Sequence, residues 1–146
     1  MTDPSRLEPI SDYADMRETE AAQRLAQSAR ALKAKEAEVE QLRGYLAEYR
    51  QREAATAQAA DPMRWQNARA FLAKLSEAVA FQEAELQKSI ERYRFEAERW
   101  RNSHQRAKAL DKVLERMERL ESQASQKRDQ AESDERALQQ SLHPRR

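Results

Sequence analysis

The stretch AADPMRW, residues 59–65, is the one strong break in the middle of a chain that otherwise reads as helix. Asp61 can cap a new helix with its carboxylate. Pro62 suits the first helical position, where its missing N–H is no loss and its fixed φ is already helical. A turn at 60–63 therefore separates two helices, expected over 10–59 and 64–139. Pro4 and Pro9 delay the first helix and leave residues 1–9 as a flexible N-terminus, while Pro144 ends the second in a basic tail over 140–146.

The composition supports this division. Of 146 residues, 39% are hydrophobic and 36% charged, with one glycine, four prolines and no cysteine, so turns and sheet have little to build on. Valines and isoleucines are few and scattered among Glu, Arg, Gln and Ala, so no strand is expected. Twenty-seven basic residues balance twenty-six acidic ones, which favours neither nucleic acid nor an anionic membrane as partner. The lack of cysteine removes disulfides and thiolate metal sites and suits a reducing cytosol. Apolar runs are short, and MTDPSRLEPISD lacks the basic and apolar segments of a secretion signal, so neither a membrane span nor export of the chain itself is expected.

In the second segment Trp65, Leu72, Val79, Leu86, Tyr93, Trp100, Ala107 and Leu114 recur every seven residues, and a parallel series runs three places later from Ala68 and Leu75 to Leu138. These are the a and d positions of a heptad. In the first segment Leu25, Leu32, Val39 and Leu46 take a, and Ser28, Lys35, Leu42 and Tyr49 take d. A strict spacing of seven implies a left-handed supercoil seam. The fold expected is all-α, two long helices forming an antiparallel coiled-coil hairpin. Folding back near residue 60 sets Leu72 against Tyr49, Val79 against Leu42, Leu75 against Leu46, Tyr93 against Ser28 and Trp100 against Ala21. Poorer layers pair Leu86 with Lys35 and Glu96 with Leu25. At 1.5 Å per residue the second helix would reach roughly 110 Å and the first roughly 75 Å, so an overhang follows residue 115.

In an antiparallel pair the g positions of both helices share one edge and the e positions the other. Tyr45, Phe71 and Ala78 are g residues at similar heights above the turn. With Leu42, Tyr49, Leu75 and Gln82 at neighbouring d positions they form an apolar strip wider than a two-helix seam needs, a candidate docking surface. The other edge carries Arg43, Arg50, Arg69 and Glu83. Gly44 lies outward at f, either tolerated there or marking a slight bend or close approach. Phe81 and Phe95 occupy outward c positions that the seam does not require.

Catalytic signatures are missing. His104 and His143 lack companion ligands at metal spacing, Ser103 beside His104 is adjacency alone, and no phosphate-cradling GxxxxGK[ST] loop occurs. No cofactor, no metal and no enzyme activity are expected. The run RYRFEAERWRNSHQRAKAL, residues 92–110, superficially matches a basic region leading into a zipper, but the seam passes through it at Tyr93 and Trp100 and glutamates interrupt it.

Several segments resemble the FliJ family, the small coiled-coil component of the bacterial flagellar type III export apparatus. RLEPISDYADMRETEAAQRL is similar to its N-terminal pattern, LRGYLAEYR to its Leu-x-x-Tyr-x-x-x-Tyr-Arg, and RWQNARAFLAKLSEAV to the segment after its turn. KALDKVLERMER and KRDQAESDERA are similar to its C-terminal helix. The resemblance implies a cytoplasmic stalk, peripherally associated with the inner membrane face at the flagellar base. Such a stalk would sit in the ring of the export ATPase FliI and reach toward the export gate FlhA, and the family also escorts export chaperones. By motif, the gate-binding surface falls on Leu42, Tyr45, Tyr49, Phe71, Leu75, Ala78 and Gln82. By fold analogy the end bearing the termini would enter the ring, with Arg99, Arg101 and Arg106 as ATPase-binding candidates. The alternatives are a self-associating coiled-coil scaffold and the equivalent stalk of a virulence secretion system.

Overall fold

A computed structural model describes residues 3–56 and 61–143. The connection expected at 60–63 lies partly outside these residues, as does the end of the tail expected at 140–146. Two long helices account for nearly all of the rest, α1 over Glu8–Thr56 and α2 over Pro62–Leu142. The fold is all-α, a helical hairpin, with no strand among the described residues.

The helix ends follow from local chemistry. A 3-10 turn at Pro4–Arg6 precedes α1, capped by the Asp3 carboxylate, which accepts the backbone N–H of Ser5 at 3.1 Å. Hydrogen bonds from Ser5 hold the Asp3 carboxyl below its ordinary value. Pro9 falls inside the first turn of α1, ahead of the start expected at residue 10, because the first N–H groups of a helix have no intrahelical acceptor to lose. At the start of α2 the Asp61 carbonyl accepts the N–H of Trp65 at 3.0 Å, and Pro62 is the first helical residue.

The helices divide into two compact units, residues 20–101 and a terminal unit of residues 1–19 with 102–146. In the first unit, partners across the pair are nearly equidistant from the connection. Tyr49 meets Phe71, Arg43 meets Glu83, Lys35 meets Gln82 and Arg24 meets Glu96, so the helices run antiparallel. Val39, Leu46 and Val79 are buried at heptad positions, and Leu42, Leu72, Leu75, Leu86, Tyr93 and Trp100 are half-buried. The poorer layer at Lys35 resolves by extension of the side chain, whose ammonium leaves the seam to donate to Gln82 Oε1 at 2.9 Å and to pair with Glu38 at 3.1 Å.

The other poor layer is harsher. Glu96 is only 4% exposed at its d position, yet its Oε2 has no hydrogen-bond partner, and the nearest cation, Arg24 Nε, stands 3.7 Å away and is likewise unbonded. Ser28 gives no relief, since its hydroxyl donates to the Leu25 carbonyl of its own helix at 2.8 Å. A recess of about 300 Å³ opens beside these groups, lined among others by Arg24, Ser28, Ser89 and Glu96.

In the terminal unit Pro4, Ser11 and Ala107 are buried. Ser11 Oγ donates to Asp111 Oδ1 at 3.2 Å, and Glu18 pairs with His104 Nδ1. Four carboxylates gather on this edge. Lost hydration first, then the charges of Asp111, Glu18 and Asp12, hold the Asp15 carboxyl above its ordinary value.

Two predictions follow from these groups. Glu96→Leu replaces a buried carboxylate, held across the pair only by the 3.7 Å ion pair with Arg24, with an apolar side chain and leaves Arg24 free to reach solvent. It should raise unfolding free energy by about 1 kcal/mol or more in urea titration, and a lowered midpoint would show that the carboxylate is compensated. A carboxyl raised in the folded state binds its proton more tightly there, so its contribution is lost as pH rises through the folded pKa. Asp15→Asn should therefore melt slightly higher than the parent at pH 7, and the two should coincide in melts taken below the carboxylate range.

Candidate functional site

The strip near the connection is assembled by seam geometry. Leu42, Leu75 and Gln82 at d are half-buried, whereas the g residues cannot be covered by a single partner helix. Tyr45 remains 45% exposed and Phe71 48%, and Tyr49 at the last d before the connection is 38% exposed. Ala78 is exposed as well.

The rings do not all meet one another. Tyr49 and Phe71 form an edge-to-face pair with centroids 5.0 Å apart and planes at 68°, the arrangement favoured by ring quadrupoles. Tyr45 takes a different neighbour, its hydroxyl accepting from Gln41 Nε2 at 3.1 Å one helical turn away. Phe71 thus takes its ring partner from Tyr49 at d. That ring sits at the end of the seam and can turn toward the g edge. Gln82, the polar member, accepts from Lys35 and so closes the strip on the side away from the connection.

Cations frame the aromatic groups. The Arg52 guanidinium lies 5.5 Å from the Tyr49 centroid, and Arg69 lies 4.6 Å from that of Trp65. Beside Tyr49 and Phe71 a shallow groove of about 450 Å³ is lined also by Arg52, Glu53, Asn67 and Leu72. On the opposite edge Arg43 Nε pairs with Glu83 Oε1 at 2.9 Å, as a charged, solvated edge should. Gly44 faces open space, with nothing within 4 Å of where a Cβ would stand, so it serves no close approach.

The three arginines expected at the other partner's surface are dispersed. Arg99 is half-buried and stacks 5.6 Å from the Phe95 centroid, and Arg101 is exposed nearby. Arg106 belongs to the terminal unit, where it borders an apolar groove. Sequence reading missed that groove, because Ile10 and Tyr13 precede the first recognisable apolar heptad; continuing the seven-residue count back from Leu25 would have found it.

Among the described residues no group of His, Cys, Asp or Glu could hold a metal ion, and no helix is long and apolar enough to cross a membrane. What the geometry offers is surface: exposed rings held at fixed spacing by two helices. Neither a curated protein nor a solved structure matches the chain significantly. The family model of the flagellar FliJ protein, in contrast, matches residues 3–146. With an all-α helical pair of the expected connectivity and nearly the whole length covered, the chain belongs to the FliJ family, a component of flagellar protein export.

Proposed function

We propose that this chain is a non-catalytic stalk of the flagellar type III export apparatus, contacting the export ATPase FliI with its terminal end and the export gate FlhA with the strip near the connection. The observation that carries the reading is the exposed edge-to-face pair of Tyr49 and Phe71 with Tyr45 beside it, aromatic area that stability of a two-helix seam does not require. Leu42, Leu75, Ala78 and Gln82 complete the surface. Arg99, Arg101 and Arg106 are the candidates on the ATPase side.

A helical pair is suited to this work. Inserted in a ring of equivalent subunits it contacts them unequally, so its binding energy favours one arrangement over others and can promote ring assembly or turnover. Such a protein works at the cytoplasmic face of the membrane without entering it. Escort of export chaperones belongs to the same reading, with the exposed Phe81 and Phe95 as available apolar contacts.

Replacing Tyr45 and Phe71 together by alanine should weaken binding to the cytoplasmic part of FlhA by about tenfold or more, with helicity by circular dichroism unchanged. Trp100→Ala should do the reverse. Its half-buried ring should cost about 2 kcal/mol of stability, below the value for a fully buried tryptophan, without a change in gate affinity under folding conditions. Gate affinity that ignores the double substitution would sink the docking strip. Separately, ATP hydrolysis by FliI should rise when the chain is added, and an unchanged rate with unchanged ring formation would remove the ATPase half.

A further inference from the structure

The terminal unit carries an apolar groove of which the ATPase reading uses Arg106 alone. Between α1 and α2 an open groove of about 510 Å³ is lined principally by Ile10, Tyr13, Arg17, Arg106, Leu110 and Val113. Ile10 is 50% exposed, Tyr13 57% and Val113 47%, so about half of each side chain faces solvent above the seam. The exposed halves of these g and c side chains add nothing to the seam, and polar residues are the ordinary occupants of such positions.

Charge is distributed unevenly around the same unit. The g and c positions flanking the groove carry Arg6, Arg17, Arg106 and Arg116, all exposed; the one acid there, Asp3, is engaged with Ser5. The opposite e and b positions carry Glu8, Asp12, Asp15, Asp111, Glu115 and Glu118, with Lys108 as the basic exception. The Asp15 carboxyl, held up first by lost hydration, is pushed further by the charges of Asp111, Glu18 and Asp12. One flank is therefore apolar and cationic, the other anionic and without large apolar groups.

We propose that this groove binds an acidic amphipathic helix of a partner protein, whose apolar stripe packs on Ile10, Tyr13, Leu110 and Val113 and whose carboxylates meet Arg17 and Arg106. A helix fits because the groove runs between two helices, and its ridges recur every three to four residues, the spacing a third helix presents in return. Ile10 and Arg17 are one heptad apart, about 10.5 Å along the axis, which matches two turns of the incoming helix. The sign of the partner follows from the arginines bordering the apolar floor and from the carboxylates on the far flank, which would repel the same helix if it approached from there. A lipid surface is the poorer match, since the apolar groups lie in a groove and not on a broad face.

The test uses the full chain and two synthetic helical peptides of the same length, with leucine at a and d and either glutamate or lysine at the flanking positions. The glutamate peptide should bind in fluorescence anisotropy at low salt, weaken as salt rises, and exceed the lysine peptide at least tenfold. Arg17→Glu with Arg106→Glu should reduce its affinity at least tenfold, as should Ile10→Ser with Val113→Ser, while Lys108→Glu on the other flank should change it less than about twofold. Circular dichroism melts confirm that each variant is folded, and the charge reversals, lying on the surface, keep the test valid if the apolar pair fails to fold. The proposal is overturned by four results: the glutamate peptide does not bind, or its binding survives the arginine reversals. It is equally overturned if phosphatidylglycerol vesicles bind where the peptide does not, or if the chain alone forms a dimer that the reversals dissolve. None of these measurements involves FliI or FlhA, and Ile10→Ser with Val113→Ser leaves Arg106 in place, so failure of this proposal is distinguishable from failure of the ATPase reading.

Discussion

A contact face that returns every seven residues is the constraint on which everything else in this molecule depends. A straight helix drifts away from such a stripe, so two helices can keep their stripes in contact only by winding around one another. Leucine, valine and alanine at those places supply the apolar burial, with Val39, Leu46 and Val79 buried among them. Where the stripe is broken by Lys35, Glu96, Ser11 or Glu18, the geometry persists because its neighbours hold the phase.

Two helices alone have no interior beyond that stripe. Any residue one step to the side can be covered on one face only, which explains why tyrosine and phenylalanine at such places stay half in water. What two helices offer is surface along their edges. Each edge can be written independently in sequence, because g and e residues do not share contacts. One edge can therefore be aromatic or basic while the other stays acidic or neutral without disturbing the seam.

How much of this was legible from the residues depended on whether they announced the repeat. From Leu25 to Leu46 and from Leu72 to Leu114 the apolar spacing states helix type, and the single break between the two segments states that they fold back on one another. Asp61 and Pro62 mark where α2 begins. The exposure of Tyr45 and Phe71 could be inferred because g residues have no second helix above them. Before Leu25 the seam is written in serine, glutamate and small residues, and polar side chains in contact positions leave no periodic trace, so Ser11 against Asp111 was invisible and the groove at Ile10 could be reached only by carrying the seven-residue count back from Leu25. Side-chain reach was equally unreadable: that Lys35 would leave its layer for Gln82, or that Tyr49 and not Tyr45 would meet Phe71, depends on rotamers that spacing does not encode.

The nearly enclosed carboxylate of Glu96 carries a last consequence. Heptads of similar composition can slide past each other by whole repeats with little loss, and a seam rich in alanine and leucine offers many such near-equivalent alignments. A guanidinium on one helix that must lie close to a carboxylate on the other works like a notch in a sliding rule. Moving Glu96 one repeat along α1, toward Leu32, would strand the negative charge among apolar groups without Arg24 at hand. A buried charge with its counterion on the facing helix thus favours one alignment over its neighbours.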